Sequence, residues 1–247
     1  MKQSAIATLL LVLLSACSDE SPVAQASFGT PEFPLSAEGI ELPNEHTTDQ
    51  GDPTAHGQLP PSVLFEIAQR HMNEGKYDAA LGHLDLAVAQ LPNDPALLAT
   101  RATVHSALGH AAKALADIER ACALAPGDPA LLTNRGQILR GFGRDDDALH
   151  DFDEALDVES TYYPALFNRG VLKFNQGENA AALANFTAAI AAQPETGGGY
   201  YNRAFVYEAM GDLESAKSDM HAFLERTKDS DLADLAKSHL ATWESPK

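Results

Sequence analysis

Residues 61 to 230 fall into five rows of 34 without a gap, beginning at Pro61, Pro95, Pro129, Tyr163 and Gly197. Gly75, Gly109, Gly143, Gly177 and Gly211 stand in one column, and Ala80, Ala114, Ala148, Ala182 and Ala216 in another. A third column runs Ala87, Ala121, Ala155 and Ala189, then breaks at Phe223. Leu84, Ile118, Phe152, Phe186 and Met220 form a bulky fourth, and Pro92, Pro126 and Pro194 close three rows. A period of this length means a stack of small units, each burying its apolar face against the next.

Each column has a physical cause. Glycine ends a first helix where the left-handed region is needed, alanines let two helices approach closely, and the large residue fills the space between them. Asp94-Pro95 and Asp128-Pro129 read as N-caps followed by proline in the first helical turn. Together these features resemble the tetratricopeptide repeat in period, small-residue columns, large apolar column and closing proline. The resemblance implies an all-α fold, a right-handed superhelix of five helical hairpins (61–94, 95–128, 129–162, 163–196 and 197–230). Residues 231–247, with Leu232, Leu235, Leu240 and Trp243, read as a C-terminal capping helix and tail. Three departures, Ser160 for the closing proline, Gly197-Gly198-Gly199 and Phe223, predict looser or altered joints late in the stack.

The first 60 residues are different in kind. Lys2 precedes the apolar run Ala5 to Leu14, too short to span a bilayer but suited to a secretory signal. Leu14-Ser15-Ala16-Cys17 then resembles the lipobox of bacterial lipoproteins. That resemblance implies a signal peptide over 1–16 and acylation of Cys17, several chains of which anchor a protein stably. In lipoproteins an aspartate after the cysteine favours inner-membrane retention, and Ser18 stands here, which points to the outer membrane, facing the periplasm. Residues 18 to 60 hold eight acidic residues, six prolines and no Lys or Arg, so 17–60 reads as a lipidated, disordered tether.

Thirty-five acidic against 17 basic side chains give a formal charge of −18, which repels phosphate backbones and argues against nucleic acid as a partner. There is no phosphate loop, no nucleophile elbow and no metal-spaced histidine pair within a carboxylate cluster. His105 and His110 come nearest, without a second ligand set, and Cys122 reads as a packed thiol. The reading is therefore of no enzyme activity, catalytic residue, metal or cofactor.

Two polar columns carry the functional argument. Arg101, Arg135, Arg169 and Arg203 occupy a position usually leucine in this family, and Asp117, Asp151, Asn185 and Asp219 lie sixteen residues further on. The first row has Ile67 and His83 instead, so arginine and acceptor come and go together. This covariation within one chain predicts structural charge pairs Arg101–Asp117, Arg135–Asp151 and Arg203–Asp219. The competing reading has the arginines clamp an acidic ligand. Asn134, Asn168 and Asn202 precede three of the arginines, in a column that the resemblance places on the concave face. With Phe167, Val171, Phe174, Tyr201 and Phe205 they suggest a groove for a neutral, extended peptide, since an amide can pair with a peptide group without reading sequence. The alternative has those aromatics packed between helices or covered by the terminal helix.

A tethered scaffold for a protein or peptide partner follows. Similar lipoproteins act as adaptors for cell-wall hydrolases and proteases, or as pilotins in secretin or pilus assembly. Self-association into a homo-oligomer and an enzyme with an unrecognised site are the remaining alternatives.

Overall fold

The computed structural model describes residues 59–244. The lipobox, Cys17 and almost the whole tether lie outside them. Every regular element among the described residues is an α-helix: α1 Pro61–Asn73, α2 Tyr77–Gln90, α3 Pro95–Ala107, α4 Ala111–Leu124, α5 Pro129–Gly141, α6 Asp145–Val158, α7 Tyr163–Asn175, α8 Asn179–Ala192, α9 Gly197–Met210, α10 Leu213–Leu224 and α11 Ser230–Glu244. They belong to two compact units, α1–α5 and α6–α11. The division falls inside the third row, at Asp145, between its two helices.

The helix boundaries follow from local chemistry. Asp94 accepts the Leu97 amide at 2.9 Å, and Asp128 accepts those of Ala130 and Leu131 at 2.8 and 3.2 Å. Proline follows each cap at the first helical position, where a missing N–H costs nothing. At the other end the glycine column has φ of +72° to +83°. In each copy the residue after the glycine donates to a carbonyl five residues back, as Lys76 to His71, His110 to His105 and Asp212 to Tyr207. This is the Schellman closure, and the conformation it needs is one that a Cβ disfavours.

In the α1–α5 unit the pairs α1–α2 and α3–α4 form hairpins, with α3 stacked on α2 and α5 on α4. In the α6–α11 unit, α7–α8 and α9–α10 are hairpins, α6 packs on α7, α9 on α8 and α11 on α10. Both alanine columns are wholly buried, as are Leu84, Ile118, Phe152, Phe186 and Met220. Small residues thus bring the backbones together and one large side chain per row fills what remains.

The late joints are altered without being loose. A Cβ on Gly197 would stand 2.8 Å from Phe223, one on Gly199 2.8 Å from Ile190, and one on Gly170 2.9 Å from Phe186. The glycines make room for large side chains, so Phe223 is accommodated with only 2% exposure. Arg226 reinforces this joint by donating to the carbonyls of Pro194 and Ala222 at 2.8 and 2.6 Å, over the Tyr200 ring.

Candidate functional site

Arg101, Arg169 and Arg203 sit on the first helices α3, α7 and α9, each facing second helices on both sides. In the α1–α5 unit, Arg101 on α3 donates from Nε and Nη2 to the two oxygens of Asp117 on α4, at 2.7 and 2.8 Å. Its Nη1 reaches Asp85 on α2 at 2.9 Å. In the α6–α11 unit, Arg203 on α9 makes the same fork with Asp219 on α10, at 2.7 and 2.8 Å, and its Nη1 donates to Thr187 on α8 at 3.1 Å. Arg169 on α7 donates to Asn185 on α8 at 2.7 Å and to Asp153 on α6 at 2.6 Å. Asn185 is held in turn by its bond to the Ala181 carbonyl.

Each of these three arginines therefore bridges residues sixteen places ahead and sixteen places behind. The planar fork matches a carboxylate with two parallel bonds, and the third nitrogen joins a hairpin to the one before it. The hydrogen bonds to Asp117 and Asp219 outweigh burial and strengthen the hold of Arg101 and Arg203 on their protons. Arg135 belongs to one unit, and Asp151, 2% exposed, to the other. The acceptors sixteen residues behind were missed in the sequence reading, although Asp85, Asp153 and Thr187 share one column of the same period.

The expected groove residues are placed differently from expectation. Asn134, Asn168 and Asn202 are buried, and the side-chain amide of each is committed within the protein. Asn134 donates to Thr103 Oγ1 at 3.3 Å, Asn168 to the Pro164 carbonyl at 2.7 Å and Asn202 to the Gly198 carbonyl at 3.0 Å. The last two bonds run back one turn along the same helix, the ordinary way an interior Asn satisfies itself. Val171 is buried with Ala182, Phe186 and Val206. Tyr201 and Phe205 are buried with Phe223, Leu232, Leu240 and Trp243.

The burial of Tyr201 and Phe205 follows the alternative reading, in which aromatics pack between helices or under the terminal helix. Tyr201 packs edge-on against Phe205 and Phe223, each at 4.9 Å between ring centroids, while Phe205 meets His239 and Trp243 of α11. These rings belong to the core and to the cap contact because burying them is worth more than displaying them. Phe167 and Phe174, half-buried beside the Val171 cluster, are the aromatics of the set that keep a surface. Phe167 stacks on Tyr163 at 5.8 Å and meets Phe186 edge-on.

Two clusters of possible ligands stand apart from this. His105 and His110 bring their Nδ1 atoms to 3.4 Å, and burial pushes the His105 pKa down. On α6, ligand atoms of His150, Asp151 and Glu154 lie within 4.8 Å of one another, with Asp151 buried and the other two exposed. The sequence signal for this trio is faint, two ligands one helical turn apart. Cys122 is half-buried and forms no disulfide among the described residues. Among the described residues no helix is long and apolar enough to cross a membrane.

Comparison with known proteins agrees with the repeat geometry. No curated protein matches the chain. The structure is similar to a thermophilic TPR protein of Thermus thermophilus, TTC0263, with 26% identity, 73% of this chain and 99% of that one covered, and a TM-score of 0.65. It is also similar to PilW, a type IV pilus biogenesis factor, at 21% identity, covering 74% and 92% of the two chains with a TM-score of 0.61. A tetratricopeptide repeat protein from Parabacteroides merdae is 22% identical, with 74% and 73% covered and a TM-score of 0.60. The sequence profile of the tetratricopeptide repeat matches at residues 65–129, 99–164 and 167–230, and by that match the chain belongs to the tetratricopeptide repeat family.

Proposed function

We propose that this protein is a lipid-anchored adaptor of the bacterial envelope, held at the outer membrane through Cys17. In this reading its repeats receive an extended, largely uncharged segment of a protein partner. The observation that carries the choice of ligand is the engagement of the arginines. Arg101 and Arg203 each commit three nitrogens to acceptors of this chain, and Arg169 commits two. To clamp an acidic ligand, Arg101 and Arg203 would have to abandon carboxylates that are themselves mostly buried. The half-buried faces of Phe167 and Phe174 suit an apolar side chain.

The test is affinity capture with the lipidated protein and a Phe174→Glu variant. The partner recovered by the wild type is expected to be lost at least tenfold in the variant, with helicity unchanged. Equal recovery would remove the α7 surface from the account. PilW's described role in pilus biogenesis is a competing direction, supported by likeness of fold; a secretin or pilin as the captured partner would favour it.

A further inference from the structure

The cap contact is built around a histidine with a buried, unpartnered nitrogen. His239 on α11 stands edge-on to Phe205 on α9, with ring centroids 5.0 Å apart at 90°, and against Trp243 at 6.1 Å. Its Nε2 is buried and has no hydrogen-bond partner among the described residues. Beside it the Trp243 indole donates to Glu208 on α9 at 2.8 Å. A neutral imidazole fits this slot as an aromatic ring, whereas an imidazolium would be desolvated against Phe205.

We propose that α11 is an acid-released cap, held near neutral pH by uncharged His239 seated on Phe205 and let go when that imidazole takes up a proton. Release would uncover Tyr201, Phe205 and Phe223, which form the apolar end of the α9–α10 hairpin. Charged groups on every neighbouring element bear on this. From α9, Glu208 favours the charged form, but it is engaged by Trp243. On α9 and α10, Arg203 and Asp219 hold each other. On α11 itself, Asp234 and Lys237 pair in solvent at 2.9 Å. Burial is the larger influence and pushes the His239 pKa below its ordinary value.

The sign follows from linkage. The docked cap binds the proton more weakly than the undocked one, so release is favoured as pH falls below about 6.5, by up to tenfold per pH unit until the docked site also titrates. Neither state carries the proton above that range, and there the docking equilibrium is insensitive to pH.

Trp243 is the only tryptophan of the chain, so its emission reports on this contact directly. The full-length protein is titrated from pH 7.5 to 5.0, with emission and amide hydrogen exchange of α11 followed together. Emission is expected to shift to the red, and exchange in α11 to rise at least tenfold relative to α9, while far-UV circular dichroism keeps the helices of the repeats. His239→Phe, which keeps a ring in the slot, should abolish both changes, and His239→Gln should abolish their pH dependence. Glu208→Gln, which keeps an acceptor for the indole but removes a charge that stabilises the docked imidazolium, should enlarge the release at low pH. Exchange in α11 that is independent of pH in the wild type, or the same transition in His239→Phe, would overturn the proposal.

Discussion

The Arg203–Asp219 fork makes a quantitative prediction. The two side chains are 16% and 8% exposed, so the pair lies between a surface ion pair and a fully buried one. Removing one partner from a buried pair costs about 3–5 kcal/mol, and exposed pairs are worth about 0–1. Arg203→Met leaves Asp219 buried with its fork empty, and about 3 kcal/mol is expected from that range. Asp219→Asn is milder, because Arg169 already donates to an asparagine, Asn185, at the equivalent place. Trading a charge-assisted bond for a neutral one costs about 1 kcal/mol. In the double variant the introduced methionine faces a neutral amide, so the sum of the single losses should exceed the double loss by about 1–2 kcal/mol. Urea unfolding, followed by circular dichroism and by Trp243 emission, measures all four corners of the cycle. Additivity within about 0.5 kcal/mol would refute the pairing as a coupled structural unit.

Other outcomes follow from the same geometry. Gly197→Ala should destabilise by about 1–3 kcal/mol through overpacking against Phe223, and Phe223→Ala by about 3–5 kcal/mol through a cavity; together they should cost less than their sum, read by thermal unfolding. His105 is held neutral by burial, so the fold containing it should weaken as pH falls below about 6.5, where the unfolded chain takes up the proton first; in His105→Gln that part of the pH dependence of urea unfolding should disappear. Cys17→Ala should lose acyl label and leave the membrane fraction, and undiminished metabolic acylation would overturn the lipobox reading.

The repeat period made the elements legible, because glycine, alanine, capping aspartate and proline each act locally and recur in register. The terminal helix was legible too, from the apolar spacing of Leu232, Leu240 and Trp243. The partners of the arginines were only half legible. A column sixteen residues ahead stood out because it vanishes with the arginines in the first row, whereas the column sixteen behind keeps Asp85 in that same row and ends at Thr187, so it gives no such signal. The concave column was the least legible part. Spacing places Phe167 and Phe205 at repeats of one face, but it does not say that α11 covers Phe205, since that depends on how His239 and Trp243 pack. The glycines opening the fifth row read as slack, although Gly197 and Gly199 are each matched in space to a bulky side chain that the sequence sets well away from it.

These placements bear on what the repeats can hold. An arginine whose nitrogens are bound to a carboxylate and to an acceptor on the preceding hairpin acts as a rivet between hairpins, and a ligand that took it would loosen the stack while binding to it. The energy of capturing an acidic peptide this way would be reduced by the cost of leaving Asp117 or Asp219 unpaired. Arg169 keeps that role with a neutral forward acceptor, Asn185, because Asp153 on the helix before supplies the carboxylate, as Asp85 does for Arg101. Charge in this column therefore joins repeats, and under the proposed reading recognition falls to surfaces such as Phe167 and Phe174. Binding there should depend only mildly on salt, because few ion pairs would form for it to screen. A complex that collapsed on moving from about 0.1 M to 1 M salt, where the screening length falls from about 10 Å to 3 Å, would show that the arginines had changed partners after all.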